Sequence, residues 1–141
     1  MSLKGAAVKH LPTVVSIVCA FFITTGFVQA PGDLTKTTIN LSRSRYARGD
    51  LVTGSTVTKN LGLTVSVPGK VVFKWYSDVQ GLTSIGTLYT SNGQTNLADL
   101  AFYVPTSPSQ DNVHIVATWS PTVPSYLGAS SDDKRIPIGL P

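Results

Sequence analysis

Eighteen consecutive residues without a charge, LPTVVSIVCAFFITTGFV from Leu11 to Val28, set the limits within which this chain folds. As a helix rising about 1.5 Å per residue, the run spans roughly 27 Å, close to the hydrocarbon thickness of a bilayer. A short basic leader with Lys4 and Lys9 precedes it. In a chain of 141 residues, the part beyond the run has room for one ordinary domain and no more. The expected organisation is an apolar N-terminal segment over residues 1–30, a linker over 31–36, and a domain over 37–141.

The apolar run has two readings. As a cleaved secretory signal it would end at Ala30, with Val28-Gln29-Ala30 as a small-residue site. As a retained signal anchor it is a single-pass transmembrane helix, and two features favour this. The run exceeds the usual apolar core of about 7–15 residues. Pro31 stands where a protease must grip extended backbone. Lys4 and Lys9 ahead of the run, with no basic residue until Lys36, orient the C-terminal part outside the cell membrane. Ser16, Ala20, Thr24 and Gly26 recur at about one-turn spacing and suit a helix-packing seam. Ser16-Ile17-Val18 is too bulky for a lipoprotein site before Cys19. Lys4-Gly5-Ala6 suggests a pilin leader, but Lys9, His10 and Pro12 interrupt the continuous apolar helix a pilin needs.

Beyond the run, composition points one way. Glu is absent, and Thr and Ser together number 32, with 12 Gly and 9 Pro. These residues disfavour helices and suit strands and turns, so an all-β sandwich of about seven strands is expected. Cys19, the single cysteine, lies in the apolar run, so no disulfide within the chain and no cysteine metal site is available.

Strict alternation marks the clearest strands. Over residues 70–77, Val71, Phe73 and Trp75 alternate with Val72, Lys74 and Tyr76, and the Lys assigns the first set to the core. Over 113–119, Val113, Ile115, Ala117 and Trp119 share one face. Further strands are expected over 37–42, with Ile39 and Leu41 on one face, and over 51–59, 61–67 and 83–90. The stretch 97–104 places Leu100, Phe102 and Val104 opposite Asp99 and Tyr103. An edge strand over 134–138 would tolerate Pro137. Pro68-Gly69 predicts a turn, and Ser91-Asn92-Gly93 a hairpin, since Asn and Gly tolerate positive φ.

The order of these pieces resembles the immunoglobulin-like (Big-type) repeat domains of bacterial and archaeal surface proteins. The matching motifs begin with the Thr-rich opening Thr35-Lys36-Thr37-Thr38-Ile39-Asn40-Leu41-Ser42 and the Gly-led Gly69-Lys70-Val71-Val72-Phe73. Ile85-Gly86-Thr87-Leu88 and Ser91-Asn92-Gly93-Gln94 come next. Val113-His114-Ile115-Val116-Ala117-Thr118-Trp119 and Tyr126-Leu127-Gly128-Ala129-Ser130-Ser131 complete the match. The segment 77–83 reads as an insert, and the domain stands single where the family repeats in tandem. The resemblance implies architecture and surface location and brings no catalytic site.

Catalysis is poorly supplied. His114 is the one domain histidine, expected on the face away from the core, and no Gly-x-Ser-x-Gly elbow exists. No catalytic residue, cofactor or small-molecule substrate is therefore assigned. Arg43, Arg45 and Arg48 form a dispersed basic edge, and the domain's nine Lys/Arg against seven Asp fall short of a nucleic-acid-binding face. Arg48-Gly49-Asp50 spells an integrin-type tripeptide but sits where Gly-Asp makes a turn. Asp132-Asp133, with Asp33 or Asp78, offers oxygens that calcium could use, yet adjacent Asp residues in a loop are ordinary turn chemistry, and no metal site is assigned.

Asn40-Leu41-Ser42 is an N-x-[ST] sequon, so Asn40 is a glycosylation candidate. Tyr76, Tyr103 and Tyr126 are candidates for a protein interface. The function expected is a non-enzymatic structural or protein-binding module on the outer membrane face, partnered by other subunits or surface proteins. The alternative is an accessory single-pass subunit of a membrane-embedded complex. A pilin-like filament subunit and a secreted enzyme fit less well.

Overall fold

The two strands with the strictest alternation pair with each other at the centre of one sheet. In the computed structural model, which describes residues 34–106 and 112–139, these are β5 (Gly69–Ser77) and β9 (Val113–Pro121), antiparallel from Gly69↔Pro121 to Ser77↔Val113. Of their inward set, Val71, Phe73, Val113, Ile115, Ala117 and Trp119 are fully buried, whereas Trp75, expected in the core with them, is only partly buried against it. Gly69 has no Cβ because the Trp119 ring lies over it; one added there would stand 2.4 Å from Nε1.

The remaining strands are β1 (Thr35–Leu41), β2 (Leu51–Val52), β3 (Gly54–Asn60), β4 (Leu63–Thr64), β6 (Gly81–Thr90), β7 (Gln94–Asn96), β8 (Phe102–Tyr103) and β10 (Ser130–Arg135). One sheet has the order β10-β9-β5-β6. In the other, β3 pairs with β1 on one side and with β4 and β7 on the other. β2 and β8 form a separate two-stranded ribbon. All these ladders are antiparallel, and among the described residues no helix is long and apolar enough to cross a membrane. Ile39 from the second sheet joins the apolar core of the first, so the sheets form two layers of a sandwich-like all-β fold. The chain divides between Ala30 and Pro31, and every described residue belongs to the second unit. Ser16, Ala20, Thr24 and Gly26 lie outside the described residues.

β1 and β10 belong to different sheets and are joined by side chains. Thr35 Oγ1 donates to Gly128 O at 2.7 Å, and Thr37 Oγ1 lies 2.7 Å from Ser130 Oγ. Ile39 N donates to Asp132 Oδ2 at 2.7 Å, and Lys134 Nζ donates to Ile39 O at 2.9 Å. The first three partners are each separated by 93 residues, so the two strands run parallel. The seam continues into the parallel bridge Tyr46↔Ile138.

Several expectations are corrected. β1 begins at Thr35, inside the stretch expected as linker, because Thr35 and Lys36 pair with Asn60 and Lys59. The expected strand 51–59 breaks at Thr53: Leu51–Val52 pairs with β8, while Gly54 onward pairs with β1. At that crossing a Cβ on Gly54 would meet Asn40 O at 2.2 Å. The stretch 61–67 yields only β4, after a turn in which Leu61 and Gly62 take φ of 48° and 86°. The expected insert 77–83 is mostly strand, because Ser77 Oγ accepts from Gln80 N at 2.8 Å and Gly81 turns at φ 71°.

Residues 97–100 are a 3-10 helix, since Asn96 Oδ1 accepts from Ala98 N at 3.0 Å and caps it. Strand β8 follows, and Phe102 and Val104 are buried as the alternation predicts. The edge strand expected over 134–138 lies earlier, over Ser130–Arg135, and Pro137 follows it. Ser91-Asn92-Gly93 closes no hairpin: β6 and β7 sit in different sheets. Gly93 is required there for close approach, because a Cβ would meet Thr58 O at 2.5 Å.

Two outcomes are expected from this packing. Asp132→Ala strands the buried Ile39 N–H and should destabilise by about 1–3 kcal/mol in chemical denaturation, with Asp132→Asn losing less because it keeps an acceptor. Gly93→Ala forces the β3 backbone away and should cost about 1–3 kcal/mol by the same measurement.

Candidate functional site

The outer face of the β10-β9-β5-β6 sheet carries a polar cluster that draws on three strands. Tyr76 near the end of β5 is paired with His114 on β9, and their rings stack with centroids 4.7 Å apart and 21° between planes. Asp133 on β10 pairs with Val116 and therefore lies diagonal to His114, within reach of both rings. Its Oδ2 accepts from the Tyr76 hydroxyl at 2.6 Å, and its Oδ1 lies 2.8 Å from His114 Nδ1. A carboxylate only accepts, so Nδ1 carries the proton. His114 Nε2 has no hydrogen bond from the described residues.

The Tyr76 hydroxyl is held above the ordinary tyrosine range. The hydrogen bond to Asp133 is the largest cause, followed by partial desolvation and the negative charges of Asp133 and Asp78. Beside the cluster, Asn112 Nδ2 donates to Asp78 Oδ2 at 2.8 Å. Further along the same face, Val72, Lys74, Leu82, Val116 and Thr118 line a shallow cavity of about 360 Å³. Leu82 is 60% exposed. A fixed polar cluster thus adjoins an apolar shelf, the mix of an aromatic, hydrogen-bonding groups and apolar surface found in protein contacts. His114 with Asp133 has the geometry of a base and its orienting carboxylate. No hydroxyl among the described residues bonds the free nitrogen.

The structure brings together only part of what the sequence suggested. Tyr76 is in the cluster, whereas Tyr103 on β8 and Tyr126 in the β9–β10 loop are exposed elsewhere. Asp132 and Asp133 point to opposite faces of β10, one to Ile39 and one to Tyr76 and His114, so they do not converge as ligands. Asp33 lies outside the described residues. Asp50 of the Arg-Gly-Asp tripeptide folds back on its loop, where Oδ2 accepts from Ala47 N at 2.9 Å and from Arg43 Nη1 at 3.3 Å. Arg48 Nη1 donates to Pro105 O, and Gly49 takes φ 85°. Asn40 is exposed on β1, opposite Ser55.

Sequence reasoning places His114 outward but misses its partner, because the Asp133 position depends on a strand expected four residues too late. Tyr46 is missed as well. It is buried in a segment expected as loop, with its hydroxyl donating to Thr53 O.

No family model matches the chain, and no curated protein sequence matches it. Among solved structures it is similar to the sporulation control protein Spo0M of Bacillus subtilis, with 15% identity and TM-score 0.43 over 75% of this chain. The chain spans about half of that protein, 49% of its length. A conjugative transposon lipoprotein of Bacteroides eggerthii gives 8% identity and TM-score 0.43, covering 76% of this chain and 97% of that one. A late embryogenesis abundant (LEA)-like protein gives 15% identity and TM-score 0.36, with 97% and 94% covered. At these values none of the likenesses bears on function.

The cluster has a spectroscopic signature. Its hydrogen bond stabilises the native state below the ordinary tyrosine pKa of about 10, and this is lost as pH rises through the raised value. Tyr76→Phe should therefore remove a tyrosinate absorbance component titrating above the ordinary tyrosine range, checked by ultraviolet pH titration.

Proposed function

We propose that the chain is a non-enzymatic, protein-binding surface module of immunoglobulin-like type, held on the outer membrane face by a retained helix over Leu11 to Val28. The observation that carries the binding role is the Tyr76–His114–Asp133 cluster beside the apolar shelf of Val72, Leu82 and Val116. A partner covering this face would bury Leu82 and find a fixed imidazole nitrogen at its edge. Two features support the immunoglobulin-like reading. The sheet order β10-β9-β5-β6 follows the G-F-C-C′ order of such sandwiches, and β1-β3-β7 follows A-B-E. Membrane placement rests on the length of the apolar run, its basic leader and Pro31.

The test is cross-linking in native membranes, solubilisation in mild detergent and recovery of the chain. A protein partner in fixed ratio should come with it, cross-linked at Lys74. Val116→Lys, which places a charge on the apolar shelf, should reduce its recovery at least tenfold. Recovery of the chain without a partner overturns the binding role, and a soluble chain beginning at Pro31 overturns the membrane placement.

A further inference from the structure

The outer face of the other sheet has a different chemistry. The register places three rows across β1, β3 and their neighbours: Asn40–Ser55–Asn96, Thr38–Val57–Gln94 and Lys36–Lys59–Thr64. None of these nine positions is acidic. A groove of about 710 Å³ runs over all of them but Lys36 and Thr38, bordered also by Asn92, within the size range of ligand clefts, and Lys36 stands beside it next to Lys59.

Two observations define what this groove would accept. First, two of its three asparagines are fixed as donors. Asn92 Oδ1 accepts from Gln94 N at 3.1 Å and Asn96 Oδ1 accepts from Ala98 N at 3.0 Å. Each oxygen is thereby engaged by backbone, and each Nδ2 amino group remains for a ligand. Second, Lys36 and Lys59 face each other directly across β1 and β3, both exposed, and neither has an ion pair among the described residues. Like charges directly opposite on a sheet destabilise it. An anion over the pair would relieve that repulsion.

We propose that this face binds an acidic polysaccharide. Ring and hydroxyl oxygens would accept from the Asn92 and Asn96 amino groups, and a carboxylate would lie over Lys36 and Lys59. The hydroxyls of Ser55 and Thr64 would donate to or accept from the sugar hydroxyls. The groove is lined by hydroxyl and amide side chains with Val57 as its apolar contact, which suits a hydrated sugar chain. This site lies on the sheet opposite the protein-binding face, so either proposal stands or falls without the other.

The experiment is affinity electrophoresis of the full chain in mild detergent, in gels containing polygalacturonate, with dextran as the neutral comparison. Retardation by polygalacturonate and not by dextran is expected, weakening as salt rises. Lys36→Gln with Lys59→Gln should weaken it at least tenfold. Lys70→Gln with Lys74→Gln, a charge-matched change on the other sheet, should leave it within twofold. Equal loss in both double variants, or retardation by dextran alike, overturns the proposal. Absence of retardation overturns it too. So does flotation with vesicles containing phosphatidylglycerol that depends on Lys36 and Lys59 while polygalacturonate has no effect, which would assign the face to lipid.

Discussion

The structure depends on how the free edge of β1 is closed. At Ile39 an amide and a carbonyl point away from the ladder with β3 and are met by opposite charges from one strand, Asp132 and Lys134. A buried backbone pair left open there would cost more than most single side-chain contacts. Supplying acceptor and donor from residues two apart on β10 works because alternate strand residues share a face. The parallel run then continues through Tyr46 and Ile138, whose neighbouring bonds Tyr46 N to Pro137 O and Gly139 N to Tyr46 O fix the C-terminal segment. The two sheets are thus joined along one side by polar groups and across the middle by Val71, Phe73, Ile115, Trp119 and Ile39.

That seam explains why the two outer faces differ. β10 turns Ser130, Asp132 and Lys134 toward β1, and its other side chains outward. Asp133, left on the outer face, organises Tyr76 and His114. The opposite sheet carries no carboxylate at its nine facing positions, and among the described residues Lys36 and Lys59 have no ion pair. One short strand, SSDDKR, therefore sets the polarity of one face and the closure of the other.

How legible each element is in the sequence depends on what drives it. β5 and β9 are held by apolar burial, so their alternation marks strand, face and core together. β10 holds no apolar residue: its backbone pairs with β9, and its side chains hydrogen-bond to a segment 93 residues away. No local pattern carries that information, and alternation places the strand instead where Ile136 and Ile138 stand. The break at Thr53 is hidden for a related reason: Val52, Thr56 and Thr58 are all buried, yet their strands belong to different sheets. At 97–100 both the expected backbone and the expected face are wrong: Leu97, out of phase with Leu100 in a strand, is the fully buried residue, because the Asn96 cap acts locally against an extended chain. Gly93 reads as a turn residue, while its requirement is lack of volume against Thr58. The outer-face cluster is half legible: His114 and Tyr76 come from alternation, and Asp133 needs the register of β10.

The side-chain seam has a further consequence for self-association. A strand with open amides invites another chain to add itself, and sheet proteins polymerise most readily along long, regular borders. Here β1 offers no such border at Ile39, since its groups are already engaged. On the far side of the same sheet the margin is divided between two short pieces, β4 and β7. In the other sheet β6 lies on the margin, and its register against β5 shifts between Phe73 and Lys74, where Ile85 bulges out of step. A molecule with interrupted borders stays apart from its own copies at high local concentration, because its edges give an added strand nothing continuous to follow.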